Sequence, residues 1–137
     1  MSKISEVMTG DVKVARPEDS VQQAAAMMAD QDVGSLPVCD GERLCGMITD
    51  RDIAIRAVAT GLGNDAPVRE VMSEEVIWCL EDDDTQEVLG RMADRQVRRI
   101  PVIDAQRKLV GIVALGDLAI EDEENVDEAL RDISLPA

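Results

Sequence analysis

Histidine, tyrosine and phenylalanine are absent from this 137-residue chain, and tryptophan occurs once. The absence of histidine removes the commonest general base at neutral pH, together with the Ser-His and Cys-His arrangements that activate a nucleophile. A net charge of −15 with a single aromatic residue argues against nucleic-acid binding, which needs basic surfaces and stacking platforms. We therefore expect neither an enzyme with catalytic residues nor a nucleic-acid partner.

Cysteine is scarce, and long apolar stretches that could span a membrane are absent. Cys39, Cys45 and Cys79 are an odd number without CxxC spacing, which indicates neither a disulfide framework nor a metal site. We expect buried, reduced thiols at strand positions. No apolar run approaches the roughly 20 residues that a membrane span needs, and the polar start has no signal-peptide pattern. These features predict a cytoplasmic protein without a membrane partner.

The chain contains one sequence unit twice. Ile4-Ser5-Glu6-Val7-Met8-Thr9 corresponds to Val68-Arg69-Glu70-Val71-Met72-Ser73, and residues 33–40 correspond at the same spacing to residues 97–104. Such a shared register is the signature of an internal structural repeat. Two half-size repeats of this length must share a core, so we expect them to form one compact module.

Each repeat ends in a polar corner between an apolar strand and a helix. Gly46-Met47-Ile48-Thr49-Asp50-Arg51-Asp52 recurs as Gly111-Ile112-Val113-Ala114-Leu115-Gly116-Asp117, with alanine in place of threonine. A strand-to-helix corner brings free backbone N–H groups, a partial positive charge and short polar side chains together. This combination suits an anionic or hydroxyl-rich ligand.

The hydrophobic pattern predicts a strand, a helix, a hairpin and a second helix in each repeat. Strands are expected at 12–14 and 76–78, and helices are expected where apolar residues recur at helical spacing around Met28 and Met92. The hairpins turn at Asp40-Gly41-Glu42 and near residues 104–106. The predicted class is α+β, with two β-α-β-β-α repeats stacked about an approximate two-fold axis.

The repeated motifs resemble a known family. Val-x-x-Met-[Thr/Ser], apolar-Pro-Val-x-Asp and Gly-apolar-apolar-[Thr/Ser]-x-x-Asp, each present twice and in order, are similar to a pair of CBS (cystathionine beta-synthase) domains, or Bateman module. The resemblance implies repeats at 4–59 and 68–121, a linker at 60–67, and an acidic tail or short helix at 122–137. Ala114 departs from the family pattern.

The resemblance also implies a site for an adenosine ligand between the repeats. In the family, the last aspartate of the motif accepts hydrogen bonds from the ribose hydroxyls, so Asp52 and Asp117 are the candidates here, with Thr49 as the matching hydroxyl. Guanidinium groups bind phosphate oxygens in pairs of hydrogen bonds, which makes Arg51, Arg98 and Arg99 the cationic candidates. The adenine contacts implied by the resemblance are Val12, Val33, Ile77 and Val97.

Each assignment has a structural alternative. Asp52 and Asp117 are equally suited to cap helix N-termini, where a carboxylate is favourable whatever binds. Arg98 and Arg99 are equally suited to a solvated face that pairs with the abundant acids. Ala114 removes one hydroxyl contact from the second corner, a loss of about 0.5–1.5 kcal/mol, which weakens that corner without excluding binding.

The predicted function is regulatory. By resemblance, the module requires no cofactor and binds AMP, ADP, ATP, NAD or S-adenosylmethionine as a regulatory ligand. It then acts by conformational change on an unidentified effector protein or on its own homodimer. The alternative is a ligand-free module for dimerisation or protein interaction. Ala114 and the net charge of −15 favour that alternative, whereas Thr49, Asp52 and the arginines oppose it.

Overall fold

The computed structural model describes residues 2–118, which form parts of two compact units. The central unit is Lys13–Val76, and the described part of the terminal unit combines residues 2–12 with residues 77–118. Both contain helices and a small sheet, which confirms the α+β class. The acidic tail predicted at 122–137 lies outside the described residues.

The central unit holds a two-stranded antiparallel sheet and its flanking helices. The first helix, which begins at Val21, starts because Ser20 and Gln23 form a capping box, in which each side chain accepts the backbone N–H of the other, at 3.0 and 2.8 Å. The predicted hairpin is confirmed, and Gly41 takes the positive φ of 64° that its turn requires. The elements are α1 Val21–Gln31, β1 Ser35–Asp40, β2 Arg43–Thr49 and α2 Asp50–Asp52, which continues in π-helical geometry over Ile53–Val58.

The terminal unit repeats this plan with one strand more. A parallel strand pairs with the first strand of an antiparallel hairpin. Its elements are β3 Cys79–Leu80, α3 Thr85–Arg95, β4 Arg99–Ile103, β5 Leu109–Ala114 and α4 Leu115–Leu118. The apolar face of α3 covers one face of this sheet, and the core there includes Val88, Met92, Ile100, Val102 and Val113.

The strands predicted at 12–14 and 76–78 are wrong. Among residues 12–15 only Ala15 makes a bridge, parallel to Val38, and in the terminal unit strand β3 begins at Cys79. Both residues are fully buried, whereas Trp78 is 37% exposed. Alanine and cysteine contribute less to a hydrophobic pattern than the larger residues before them, so the pattern placed both strands too early.

The first segment of each repeat packs with the other repeat. Residues 2–12 belong to the terminal unit, where Thr9 and Ile112 exchange two backbone hydrogen bonds of 2.8 and 2.9 Å. In the central unit, Ser73 of the second repeat and Met47 of the first exchange bonds of 2.8 and 2.9 Å. The compact units are therefore not the sequence repeats, because the chain passes from one unit to the other after Val12 and after Val76.

Two glycines of the repeated motif allow these segments to approach the sheets. A Cβ atom on Gly46 would lie 2.7 Å from the carbonyl oxygen of Ser73. A Cβ atom on Gly111 would lie 2.7 Å from the sulfur of Met8 and 2.8 Å from the carbonyl oxygen of Thr9. All three distances are below van der Waals contact. The motif therefore contains glycine because a side chain would push the segment off the strand.

We expect Gly46→Ala to destabilise the protein by about 1–3 kcal/mol, because the new methyl group meets rigid backbone. Gly90→Ala is the matched control, since a Cβ atom on Gly90 within α3 has nothing within 4 Å. This control should stabilise the helix by up to about 1 kcal/mol. Urea denaturation of both variants measures the difference, and equal stabilities would contradict the close-approach argument.

The cysteines agree with the expectation of reduced thiols. All three are free, and burial raises the pKa of Cys39 to about 11 and the pKa of Cys79 to about 12. Burial also raises the pKa of half-buried Cys45, with a further contribution from the charge of Asp40. Since the thiolate is the reactive form, Cys39 and Cys79 are poor nucleophiles at neutral pH.

The raised pKa of Cys79 predicts a loss of stability at alkaline pH. As pH rises past the ordinary value of 9.0, the unfolded chain loses this proton first, so the contribution is complete below pH 9 and is lost towards pH 12. Urea denaturation at several pH values should show this decline. Cys79→Ala should show a shallower decline, and an unchanged slope in this variant would contradict the assignment.

Candidate ligand-binding corners

The central corner is a complete capping box at the junction of β2 and α2. The Thr49 hydroxyl accepts the Asp52 N–H at 2.9 Å, and Asp52 Oδ2 accepts the Thr49 N–H at 3.0 Å. The alternative role of Asp52 as a helix cap is therefore correct for one of its oxygens. The other oxygen, Oδ1, lies 3.9 Å from Arg56 Nε.

The terminal corner keeps half of this arrangement. Asp117 Oδ2 accepts the Ala114 N–H at 2.8 Å, as Asp52 does at its corner. Ala114 has no hydroxyl with which to complete the box. Asp117 is half-buried, so its carboxylate is held at the end of β5 while still reaching the surface.

A backbone hydrogen bond ties each corner to the start of the neighbouring strand. Asp50 N–H donates to Gly34 O at 2.9 Å, and Leu115 N–H donates to Arg98 O at 2.8 Å. These bonds bring several predicted site residues together. Val33 lies beside the Thr49 and Asp52 corner, and Val97, Arg98 and Arg99 lie beside the Asp117 corner.

The predicted adenine contacts are half-buried apolar residues. Val33 packs against the core of the central unit, whereas Ile77 and Val97 pack against the core of the terminal unit. Val12 also belongs to the terminal unit, so the structure does not bring it into the unit that holds Thr49 and Asp52 of its own repeat. The role of these four residues in adenine binding stays a prediction.

The predicted cationic residues are not engaged by other side chains. Within residues 2–118, the side chains of Arg51, Arg98 and Arg99 have neither a hydrogen-bond nor an ion-pair partner. Arg51 and Arg98 are exposed, whereas Arg99 is half-buried and its Nε atom is fully buried without a partner. The alternative in which Arg98 and Arg99 pair with neighbouring acids therefore does not hold among the described residues.

Arg56 is a neighbour of the central corner that the sequence reasoning missed. Its Nη1 donates to the carbonyl oxygen of Met72 at 3.2 Å, and its Nε lies 3.9 Å from Asp52. The guanidinium therefore joins the corner to the segment that packs on Gly46. The acid-to-base spacing of four residues on one helix was the available signal. Arg56 also borders a cleft of about 330 Å³ together with Arg69, Met72, Ser73, Glu74 and Glu75.

The described residues contain neither a metal-binding cluster nor a membrane-spanning helix. Over residues 2–118, no three histidine, cysteine, aspartate or glutamate side chains are grouped so that they could hold a metal ion. Over the same residues, no helix has the length and apolar character that crossing a bilayer requires.

The fold and the corners define a class of protein. It is a tandem module in which each repeat contains a strand-to-helix corner where an aspartate accepts a backbone N–H. The CBS-domain family profile matches residues 4–58 and 68–124. The chain belongs to the CBS domain family. CBS domain-containing protein YhcV of Bacillus subtilis is 42% identical over 136 residues, which cover 98% of this chain and 96% of the relative.

Solved structures of two relatives bear on ligands. The crystal structure of Hypoxic Response Protein I with two coordinated zinc ions has a TM-score of 0.80 and 36% identity, and the match covers 89% of this chain and 100% of that one. The CBS domain pair of protein MJ0100, in complex with 5′-methylthioadenosine and S-adenosyl-L-methionine, has a TM-score of 0.75 and 28% identity. That match covers 88% of this chain and 95% of the other.

The capping box predicts a specific stability effect at the central corner. Thr49→Ala removes the acceptor of the Asp52 N–H and should cost about 1 kcal/mol. Thr49→Ser keeps the hydroxyl and should retain most of the stability. Urea denaturation of both variants tests this, and equal losses would show that the threonine acts through its methyl group instead.

Proposed function

We propose that this protein is a regulatory module that binds an adenosine ligand at its aspartate corners and transmits occupancy by a change of conformation. The observation that carries the proposal is the duplicated aspartate geometry. Asp52 and Asp117 each use Oδ2 to accept a backbone N–H, which orients the carboxylate. The lone pairs that remain on each carboxylate suit two vicinal ribose hydroxyls, because a carboxylate is a forked acceptor of several hydrogen bonds.

The complex of MJ0100 supports an adenosine-type ligand, since both of its bound molecules contain adenosine. The unpartnered guanidinium groups of Arg51, Arg98 and Arg99 further support ligands that carry phosphate, such as AMP, ADP, ATP or NAD. Thr49 adds a hydroxyl, and Val12, Val33, Ile77 and Val97 would provide the apolar surroundings of the base. In this proposal the ligand is a signal and no bond of it is made or broken.

The output would pass through an effector protein or through a homodimer. A ligand can shift a conformational equilibrium only by its difference in affinity for the two states. The central unit exposes three large apolar residues, Ile55, Val58 and Leu62, at 52%, 71% and 40% of their surface. Such a cluster supports a contact surface for a second copy of the chain.

A ligand-free interaction module is the second candidate. The capping hydrogen bonds explain both aspartates without any ligand, and the Arg56 guanidinium near Asp52 compensates part of that carboxylate's charge. This candidate requires both corners to remain empty at physiological concentrations of adenosine compounds.

Calorimetric titration with AMP, ATP, NAD and S-adenosylmethionine separates the two candidates. The variants are Asp52→Asn and Asp117→Asn, because an amide oxygen still accepts the capping N–H but offers the ribose no carboxylate. We expect micromolar binding that weakens about tenfold or more in one or both variants, as loss of a hydrogen bond to a charged group would cause.

Asp84→Asn is the matched control, because Asp84 caps α3 through the Gln86 N–H at 3.2 Å and lies at neither corner. This variant should bind like the natural protein. Absence of heat with every ligand, from folded protein shown by mass spectrometry to carry no nucleotide, would contradict the proposal and favour the interaction module.

A further inference from the structure

The two corners differ in the pair of residues that face each other across the sheet where the corner begins. Arg99 lies directly opposite Ala114 in the β4–β5 ladder, and Ser35 lies opposite Thr49 in the β1–β2 ladder. The N–H groups of Ala114 and Thr49 are donated to the corner aspartates and not to the neighbouring strand. Both are therefore pairs without mutual hydrogen bonds, the kind in which the side chains of an antiparallel sheet lie closest.

The two pairs differ in the size and the chemistry of their side chains. The central unit places two short hydroxyl side chains opposite each other, whereas the terminal unit places a long guanidinium side chain opposite a methyl group. Ala114 thus leaves room beside Arg99 that a threonine would occupy. The terminal corner therefore lacks the hydroxyl of the central corner but has a cationic group on the residue directly opposite.

The Arg99 guanidinium has no acceptor among the described residues of the terminal corner. Arg99 Nε is fully buried, and none of the guanidinium nitrogens has a partner among residues 2–118. A buried donor without an acceptor is costly, and the cost is greater for a charged group. Arg98, the residue before it, adds a second positive charge at the start of β4. A phosphate oxygen would supply the acceptor that Arg99 lacks.

The central corner has the opposite character. Gly34 occupies the position that corresponds to Arg98, and a Cβ atom there would be 3.1 Å from Asp50 Oδ2. The carboxylate of Asp50 therefore lies beside the position at which the terminal corner carries Arg98. Asp52 lies two residues further along α2, and Arg56 Nε lies 3.9 Å from its carboxylate. The two acids Asp50 and Asp52 therefore balance the two arginines Arg51 and Arg56, and no positive charge is in excess.

We propose that the two corners select adenosine ligands by the charge of the 5′ substituent. The terminal corner, with Arg98, Arg99 and Asp117, takes a ligand with a 5′-phosphate. The central corner, with Thr49, Asp50 and Asp52, takes a ligand whose 5′ group is uncharged or cationic, such as a thioether or a sulfonium. The inference rests on the proposed function, since it concerns the same corners.

Paired titrations with AMP and 5′-methylthioadenosine test this selection, because the two ligands share adenosine and differ at the 5′ position. Arg99→Ser, which copies Ser35, should weaken AMP binding about tenfold or more, as expected for a lost charged hydrogen bond, and should leave 5′-methylthioadenosine binding within about twofold. Asp117→Asn should weaken mainly AMP, and Asp52→Asn mainly 5′-methylthioadenosine. Rising salt should weaken AMP binding more strongly than 5′-methylthioadenosine binding.

Arg95→Ser is the control for net charge, since it removes one exposed arginine from the end of α3 and should leave the ratio of the two affinities unchanged. Circular dichroism of each variant establishes that it is folded. If both ligands bind but Arg99→Ser changes neither affinity or both equally, the selection is wrong and the proposed function stands. If neither AMP nor 5′-methylthioadenosine binds the natural protein, the selection is wrong, and the titrations with ATP, NAD and S-adenosylmethionine decide the proposed function.

Discussion

The close approach of a backbone segment to a glycine is the contact on which both units depend. Met72 and Ser73 lie against Gly46, and Met8 and Thr9 lie against Gly111, at distances that leave no space for a side chain. Backbone hydrogen bonds between the segment and the strand fix this contact in each unit. Because each segment comes from the other repeat, a single repeat lacks part of its own core. This explains physically why two copies occur in one chain.

The same contact is joined to the candidate site. The corner begins three residues after Gly46, and the Arg56 guanidinium reaches from near the Asp52 carboxylate to the carbonyl oxygen of Met72. A ligand on Asp52 would therefore compete with Arg56 for the same carboxylate. The resulting rearrangement would affect the segment around Met72, which precedes the point where the chain leaves the central unit. Such a connection is what a module needs if it is to report occupancy through its shape.

The near-symmetry of the repeats makes their differences informative. Both corners have the aspartate and its capping hydrogen bond, so the same backbone N–H is bound at each corner. The side chains around it differ, with hydroxyl groups and equal numbers of acids and arginines at the central corner and the Arg98 and Arg99 guanidinium groups at the terminal corner. Electrostatic differences of this kind discriminate between ligands more effectively than apolar contacts, because a buried charge without a partner is costly.

Much of the fold was predictable because its signals are local. The helical spacing around Met28 and Met92, the Asp-Gly turn and the duplicated corner each depend on residues close together in the chain. The first strands were misplaced because Ala15 and Cys79 are small, and only their neighbours across the sheet mark them as strand positions. Arg56 was missed for a related reason, since its main partners are carbonyl oxygens that carry no sequence signal.

The sequence by itself determined the family, the duplication and the aspartates of the corners, because these are properties of residue type and spacing. Only the tertiary structure decided which repeat each first segment packs against, since hydrogen bonding to a strand edge depends on where the chain passes in space. It also decided that Arg99 faces Ala114 with a buried, unpartnered nitrogen. Register across a sheet fixes that pairing, and no local pattern in either strand encodes it.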